Sequence, residues 1–358
     1  MRDGFNVTVG LGEDLKVGSG CYKYMDFIKL PLIRRGGIRG FVKSIIDTSR
    51  FLRASNYDVV VVHTPAAAFL IRWAIFPYIK LKVIYTVHGF YFHEYMPVLK
   101  KVVHIFSEFV LSFRTSQFVF VSQEDFKFMR KLLFFRRSAD FHLMPNKVDA
   151  PRFMFDESNR SKFRTILEID SATVAFGMVC RINPEKGVEE FLRAALEISK
   201  VHHSCYFVIV GDIFREEVSI EFAEFLETYK ILLSGKIHVT GFTDDVGGYL
   251  SAIDCFCLPS YREGYPVSYI EALVAGCHCI VSNIRGCREI TEAASDSVMV
   301  EPRDVASLKD AMLSFMLGSK PRLTQRLAKS VAMAHKFGSP AGPSGQSVVI
   351  RNFFETGS

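Results

Sequence analysis

Short runs of branched and aromatic residues, almost without charge, recur along this 358-residue chain and alternate with stretches of helical spacing. Asp58–His63, Lys82–Val87, Gln117–Val121 and Phe141–Met144 are such runs in the first half. Thr173–Cys180, Tyr206–Asp212, Ile237–Gly241, Ala252–Pro259 and His278–Ser282 continue the series in the second. Apolar runs this short predict strands buried on both faces. Between them, Pro65–Trp73, Val188–Ala195 and Val267–Ala275 place apolar residues at helical intervals. Ser122-Gln-Glu-Asp125 offers helix-capping residues directly after a strand. Strand and helix in alternation predict parallel sheets covered by helices. The expected architecture is two doubly wound α/β domains, residues 1–160 and 161–335, facing each other across a cleft. The polar stretch Asp156–Lys162 is expected to lead from one to the other, and residues 336–358 to form a flexible tail.

Composition narrows the class. With 49% hydrophobic and 23% charged residues the chain is globular rather than disordered. Arg72, Lys80 and Lys82 interrupt the longest candidate for a membrane span, and no secretory pattern opens the sequence. Eight cysteines without such a signal point to a reducing cytoplasm. Cys255-Phe-Cys257 and Cys277-His-Cys279, with Cys287 nearby, are spaced more tightly than zinc ligands usually are. They lie in strand-like runs, where cysteine acts as a small hydrophobe, so no metal site is expected.

Charge divides the chain. Residues 1–150 hold 22 Lys+Arg against 12 Asp+Glu, the remainder 22 against 26. Basic and large apolar residues interleave in Phe27–Arg35, Ile71–Lys80 and Phe126–Arg137. Such segments suit an anionic bilayer surface, with Lys127, Arg130, Lys131, Arg136 and Arg137 reaching headgroups. An ordinary core helix with snorkelling ends has the same pattern. No nucleic-acid-binding motif accompanies the charge.

The densest chemistry lies in Glu263-Gly-Tyr-Pro-Val-Ser-Tyr-Ile-Glu271. Its first carboxylate falls in the loop after a predicted strand, its second on the following helix, with Pro266 fitting the helix's first turn. In open α/β sheets ligands bind beyond the strands' carboxyl ends, and a helix N-terminus there favours anions. Arg181 and Lys186, in Arg181-Ile-Asn-Pro-Glu-Lys-Gly187, occupy another strand-to-helix loop of the same sheet. Two carboxylates, two cations and an anion seat fit a ligand bearing both hydroxyls and phosphates, such as a nucleotide sugar. Dipole-complementing acids and solvated cations are the plainer alternatives. A nicotinamide dehydrogenase is disfavoured, since no Gly-x-Gly-x-x-Gly follows a strand.

Arg181–Gly187, Phe207-Val-Ile-Val-Gly-Asp212, Val239-Thr-Gly-Phe-Thr-Asp-Asp245 and Pro259–Gly276 resemble, in order and spacing, retaining glycosyltransferases of the GT-B fold, family-4 type. The resemblance covers about residues 55–335. In the first half, Thr86-Val-His-Gly-Phe-Tyr-Phe-His93, Val121–Asp125 and Pro145-Asn-Lys-Val-Asp149 are similar to the subgroup extending bacterial surface polysaccharides on a lipid carrier. The resemblance implies that Glu271 binds the ribose, that Glu263 contacts the donor sugar, and that Arg181 and Lys186 hold the diphosphate. The backbone of Gly264, Tyr265, Pro266 and Val267 would assist. Gly241 and Phe242 would lie by the base, Asn146 near the donor, and His88 by the transferred sugar and the acceptor. It further implies a hexose moved from a UDP-sugar to a lipid-linked saccharide, with no cofactor or metal, at the cytoplasmic face of the membrane. No Asp-x-Asp cluster stands where a metal–diphosphate bridge would need one. His63 and His93 are read as structural.

Three positions depart from the family pattern. Phe5–Glu13 resembles the family's second strand rather than its first, so about one βα unit is expected to be missing, with a protein partner completing the first domain as one expectation. Cys180 and Lys147 stand where the family commonly has glycine. A sugar-nucleotide epimerase or phosphorylase of the same fold, and a truncated non-catalytic subunit, are the rival readings.

Overall fold

The alternating pattern becomes parallel strand and helix in turn. The structure is a computed structural model that describes residues 8–12, 26–30, 37–76, 81–213, 218–294, 296–318 and 322–339. The chain divides into two units, residues 1–121 with 125–143, and residues 122–124 with 144–358.

The first unit runs β1 (Thr8–Gly12), β2 (Asp26–Leu30), α1 (Gly37–Ala54), β3 (Val59–Val62), α2 (Pro65–Ala74), β4 (Lys82–Val87), α3 (Val98–Ser112), β5 (Gln117–Phe120), α4 (Gln123–Leu132) and β6 (Phe141–Leu143). Strands β3-β4-β5-β6 form one parallel sheet in sequence order, while β1 and β2 pair with each other in a separate parallel sheet. Thr64 caps α2 by accepting from the Ala67 N–H at 3.2 Å, and Pro65 opens the helix. The core is aromatic: Tyr85, Phe90, Phe118 and Phe120 are fully buried. Arg72 lies inside it as well, with no exposure. Its guanidinium donates twice to Glu108, at 2.9 and 3.0 Å, and lies over the Tyr85 ring.

That burial corrects part of the membrane expectation. Ile71–Ala74 belongs to a packed helix with its cation paired inside, and Asp26–Leu30 is a strand. The rest of those two basic segments, residues 31–35 and 77–80, lies outside the described residues.

The second unit runs β7 (Val148–Asp149), α5 (Ala150–Phe153), α6 (Glu157–Ile166), β8 (Val174–Val179), α7 (Val188–Val201), β9 (Cys205–Val210), α8 (Ile220–Leu232), β10 (Ile237–Val239), α9 (Val246–Ala252), β11 (Cys255–Leu258), α10 (Val267–Val274), β12 (His278–Ser282), α11 (Cys287–Ala294), β13 (Val298–Val300), α12 (Val305–Leu317), α13 (Leu323–Phe337) and β14 (Gly338–Ser339). Its main sheet has the order β10-β9-β8-β11-β12-β13, all parallel. The order reverses beside β8, and such a switch point is where open α/β sheets place ligands. Cys255 and Cys257 fill the core on one face of the sheet, Cys277 and Cys279 on the other.

By packing, the chain divides after Leu143, and the polar stretch at 156–162 forms the start of a helix. Asp156 caps α6 by accepting from the Asn159 N–H at 2.6 Å. From α6, Arg160 and Arg164 grip the Asp254 carboxylate at 2.6 and 3.3 Å. Polarity there marks a helix start and a buried clamp. Nor do the last described residues form a loose tail: Gly338 and Ser339 pair with Val148 and Asp149. The rest of the expected tail, residues 340–358, lies outside the described residues.

Candidate active site

Three loops at the carboxyl ends of the adjacent strands β8, β11 and β12 come together in the second unit. Gly187 has φ +70°, and a Cβ there would stand 2.1 Å from the Pro259 carbonyl oxygen. Only glycine lets the loop after β8 lie this close to the loop after β11. The approach places Lys186 Nζ 2.7 Å from Glu263 Oε1. It also lets the Tyr261 N–H donate to the Glu185 carbonyl at 2.8 Å, while Arg262 pairs with the Glu185 carboxylate at 3.0 Å. Gly286, at φ +83°, does the same for the loop after β12, since its Cβ would stand 2.2 Å from the Gly264 carbonyl oxygen.

Helix α10 starts beside this junction. Pro266 is its N-cap residue, one position before the helix proper, and no side chain caps it. The first-turn N–H groups therefore point to the loop junction without a side-chain acceptor, which is the arrangement that receives anions. Glu271 lies one turn in. Burial pushes its carboxyl up to about 7, against the opposing pull of Arg152. Arg152 also donates to the Asp244 carbonyl, tying α5 to the loop that carries Gly241 and Phe242. Gly241 has φ +69°, and Phe242 is 78% exposed, a large aromatic with a free face. Asn146 donates to the Tyr265 carbonyl at 2.9 Å. Arg181 is exposed at the start of its loop.

Both local departures from the family pattern are accommodated. Cys180 is half-buried, and burial pushes its thiol up to about 12, so it stays protonated and unreactive. Lys147 is exposed and is not among the residues of positive φ. Asp245, half of the Asp244-Asp245 pair, accepts from the Gly248 N–H at 3.0 Å and caps α9. Among the described residues no group of three or more His, Cys, Asp or Glu is arranged to hold a metal.

The second unit also holds Ser122–Glu124. Glu289 accepts from Ser122 Oγ and from the N–H groups of Gln123 and Glu124 at 2.8 and 3.1 Å, and Arg288 pairs with Glu124 at 2.9 Å. Its charge, after burial, helps push the Tyr265 hydroxyl up to about 12. Arg152 and Glu289 were not singled out from the sequence. Each acts through a contact between distant segments, which no local spacing announces.

In the first unit His88 follows β4, and His63 follows the neighbouring strand β3. Their rings lie side by side, with His63 Nδ1 3.2 Å from His88 Nε2. His63 is therefore bonded to another imidazole rather than to a carbonyl. Of the five basic residues expected at a membrane surface, Lys127, Lys131 and Arg137 are exposed. Arg136 turns inward, donating to the Ser112 and Thr115 carbonyls at 2.7 Å and pairing with Asp140 at 3.0 Å. Arg130 lies over the Phe141 ring.

Two parallel-sheet α/β units, the second carrying paired ions at a bare helix N-terminus, define the GT-B class. Residues 159–331 match the glycosyl transferases group 1 and residues 3–152 match glycosyltransferase family 4. The chain belongs to this glycosyltransferase family. It is 29% identical over 275 residues, 76% of its length and 70% of the relative's, to the UDP-Gal:alpha-D-GlcNAc-diphosphoundecaprenol alpha-1,3-galactosyltransferase of Escherichia coli. It is also 29% identical over 269 residues, 73% of its length and 66% of the relative's, to the N,N'-diacetylbacillosaminyl-diphospho-undecaprenol alpha-1,3-N-acetylgalactosaminyltransferase of Campylobacter jejuni. Its fold matches that of Anabaena HepE, solved in complex with UDP and glucose, with a TM-score of 0.69 and 16% identity over 93% of this chain and 85% of that one.

Proposed function

We propose that the chain moves a hexose from a UDP-sugar to a lipid-linked saccharide, with retention at the anomeric carbon and without a metal. The observation that carries this reading is the Lys186–Glu263 pair at the uncapped start of α10, with Glu271 one turn away. The two bacterial relatives are transferases named for diphospho-undecaprenol-linked acceptors, and one for a UDP-linked donor.

The layout fits the charge flow of the reaction. Cleaving the bond between sugar and diphosphate leaves positive charge on the ring and negative charge on the departing phosphate. Lys186, Arg181 and the first-turn N–H groups of α10 would stabilise that leaving group, and they need little rearrangement as its charge develops. Glu263, which pairs with Lys186, would also bond the sugar hydroxyls. Glu271 as a carboxylate would accept from the ribose hydroxyls, and Phe242 would stack on the base.

An acceptor on a lipid carrier requires approach to a bilayer. The first unit has a fitting surface in α3 and its neighbours: Val98 and Leu99 are 77% exposed, Phe106 64% and Phe134 83%. Phe109, Phe113, Phe134 and Phe135 join in a chain of ring contacts linking the end of α3 to the end of α4. Lys100, Lys131 and Arg137 are exposed on the same elements or directly after them. Apolar rings among cations suit the interface of an anionic leaflet. Among the described residues no helix is long and apolar enough to cross a membrane.

A screen of UDP-sugars for transfer to a diphospho-lipid saccharide tests the reaction, and calorimetry with UDP tests the site. Glu271→Ala should weaken UDP binding at least tenfold, through loss of charge-assisted hydrogen bonds of about 1.5–3 kcal/mol. Unchanged UDP affinity in that variant would remove the assigned pocket.

A further inference from the structure

The His63–His88 contact is not absorbed by the reading above. Both rings stand at the carboxyl ends of adjacent parallel strands, where the sheet presents its ligand side. His63 has little freedom to leave: the next residue, Thr64, caps α2, and Pro65 fixes the first turn. The two rings meet edge to edge, 5.5 Å between centroids and 27° apart in plane, as a hydrogen bond between ring nitrogens requires. A hydrogen bond between two ring nitrogens needs one N–H and one lone pair, so the bond cannot survive with both rings doubly protonated. Which nitrogen of a histidine carries its proton is set by what the other nitrogen bonds. With Nε2 held by His63, His88 has only Nδ1 left for a ligand.

We propose that His63 is a positioning residue that donates from Nδ1 to Nε2 of His88, keeping His88 neutral and in one tautomer, so that Nδ1–H of His88 meets the substrate as a hydrogen-bond donor rather than as a charge. This rests on the reading that His88 faces the transferred sugar and the acceptor. Electrostatics agrees with the geometry. Loss of surrounding water lowers the pKa of both rings, and that of His88 is lowered further by His63, the one titratable group acting on it among the described residues. A positive charge on His88 would repel the cationic sugar that forms as the donor bond breaks. A neutral ring in a fixed tautomer would not.

The test uses the full chain with isotope-labelled histidine, comparing wild type with His63→Phe, His63→Asn and His88→Phe. Ring-nitrogen NMR should show wild-type His88 in a single tautomer, titrating below an ordinary histidine. In His63→Phe the tautomers should mix and the neighbour's influence on the midpoint should vanish. In His63→Asn, where an amide can still bond Nε2, one tautomer should return. On whichever of UDP-glucose, UDP-galactose or UDP-N-acetylgalactosamine the wild type turns over, His63→Phe should lower kcat about ten- to a hundredfold, the size expected of misplacement. KM for the donor should hold, the acidic limb of the pH profile should shift, and His63→Asn should restore part of the rate. An unchanged His88 titration and tautomer in His63→Phe overturns the proposal, as does wild-type turnover in His88→Phe. If the wild type turns over no UDP-sugar, the proposed donor class is wrong, while the NMR comparison still decides whether His63 sets the state of His88.

Discussion

The two units place their strong polar groups differently. In the second, ionic pairs and short hydrogen bonds tie the strand-end loops to one another and to α7: Lys186 to Glu263, Arg262 to Glu185, and Tyr261 to Glu190 at 2.6 Å. In the first, the well-connected cations lie inside or beneath the surface, as Arg72 and Arg136 do, and the outer face carries exposed rings. On the proposed function, a nucleotide diphosphate would be recognised by fixed charge, which the ionisable loop residues of the second unit supply. A lipid-linked acceptor would offer a long apolar chain, which the exposed rings of the first unit suit.

The contrast predicts that buried pairs serve stability while the loop pair serves chemistry. Glu108→Ala strands Arg72 in the first core, and Asp254→Ala strands Arg160 and Arg164 in the second. Each should cost about 3–5 kcal/mol, since an unpaired buried charge remains. Thermal melts should fall by on the order of 10 °C in both. A variant of either kind that melts like wild type would show the pair to be peripheral to its core.

Lys186→Ala should do the reverse. The pair it breaks is partly solvated, with the Lys186 side chain 25% exposed, so stability should change by less than about 1 kcal/mol. Turnover should drop about 10²–10³-fold, the usual cost of losing one donor to a developing anion. Equal losses in melting and in rate would make Lys186 a structural residue and erase the distinction.

A smaller effect follows from Glu271. Its carboxyl titrates near 7 because burial disfavours the charge, so it is mostly protonated below that pH and mostly ionised above it. Only the ionised form accepts from both ribose hydroxyls. UDP affinity should therefore be highest above pH 7 and fall about tenfold from pH 8 to pH 6, one pH unit below the midpoint. Calorimetry at the two pH values reads this directly. Arg152→Ala should move the fall to higher pH, because Arg152 is the charge that pulls the carboxyl down.

Most of the second unit was legible because its strands are charge-free and its site is contiguous: Glu263 to Glu271 is one loop and one helix, and Arg181 to Gly187 is one turn. The role of Asp156–Lys162 was not, because the stretch has a linker's composition, and only the partner of Arg160, Asp254, shows what it does. The first unit was legible as alternating strand and helix, but its basic segments were ambiguous by nature. Spacing alone cannot tell a cation aimed at a headgroup from Arg72 aimed at Glu108, since both sit on amphipathic helices. The same holds for His63, whose meaning depends on a ring 25 residues away.

The exposed face of the first unit carries the finest discrimination. Lys131→Ala and Arg137→Ala should each weaken binding to phosphatidylserine-containing vesicles by about 1 kcal/mol at low salt, the worth of one cation near an anionic leaflet. Arg136→Ala should leave vesicle affinity unchanged while lowering the melting temperature, because its guanidinium bonds the Ser112 and Thr115 carbonyls and Asp140. Phe134→Ser should weaken binding at high salt as well as low, since the ring contributes apolar burial that ions do not screen. If all four variants bind vesicles as wild type does, the exposed rings serve something other than a bilayer. If only the cation changes matter and salt abolishes binding, the contact is electrostatic and the rings stay in water.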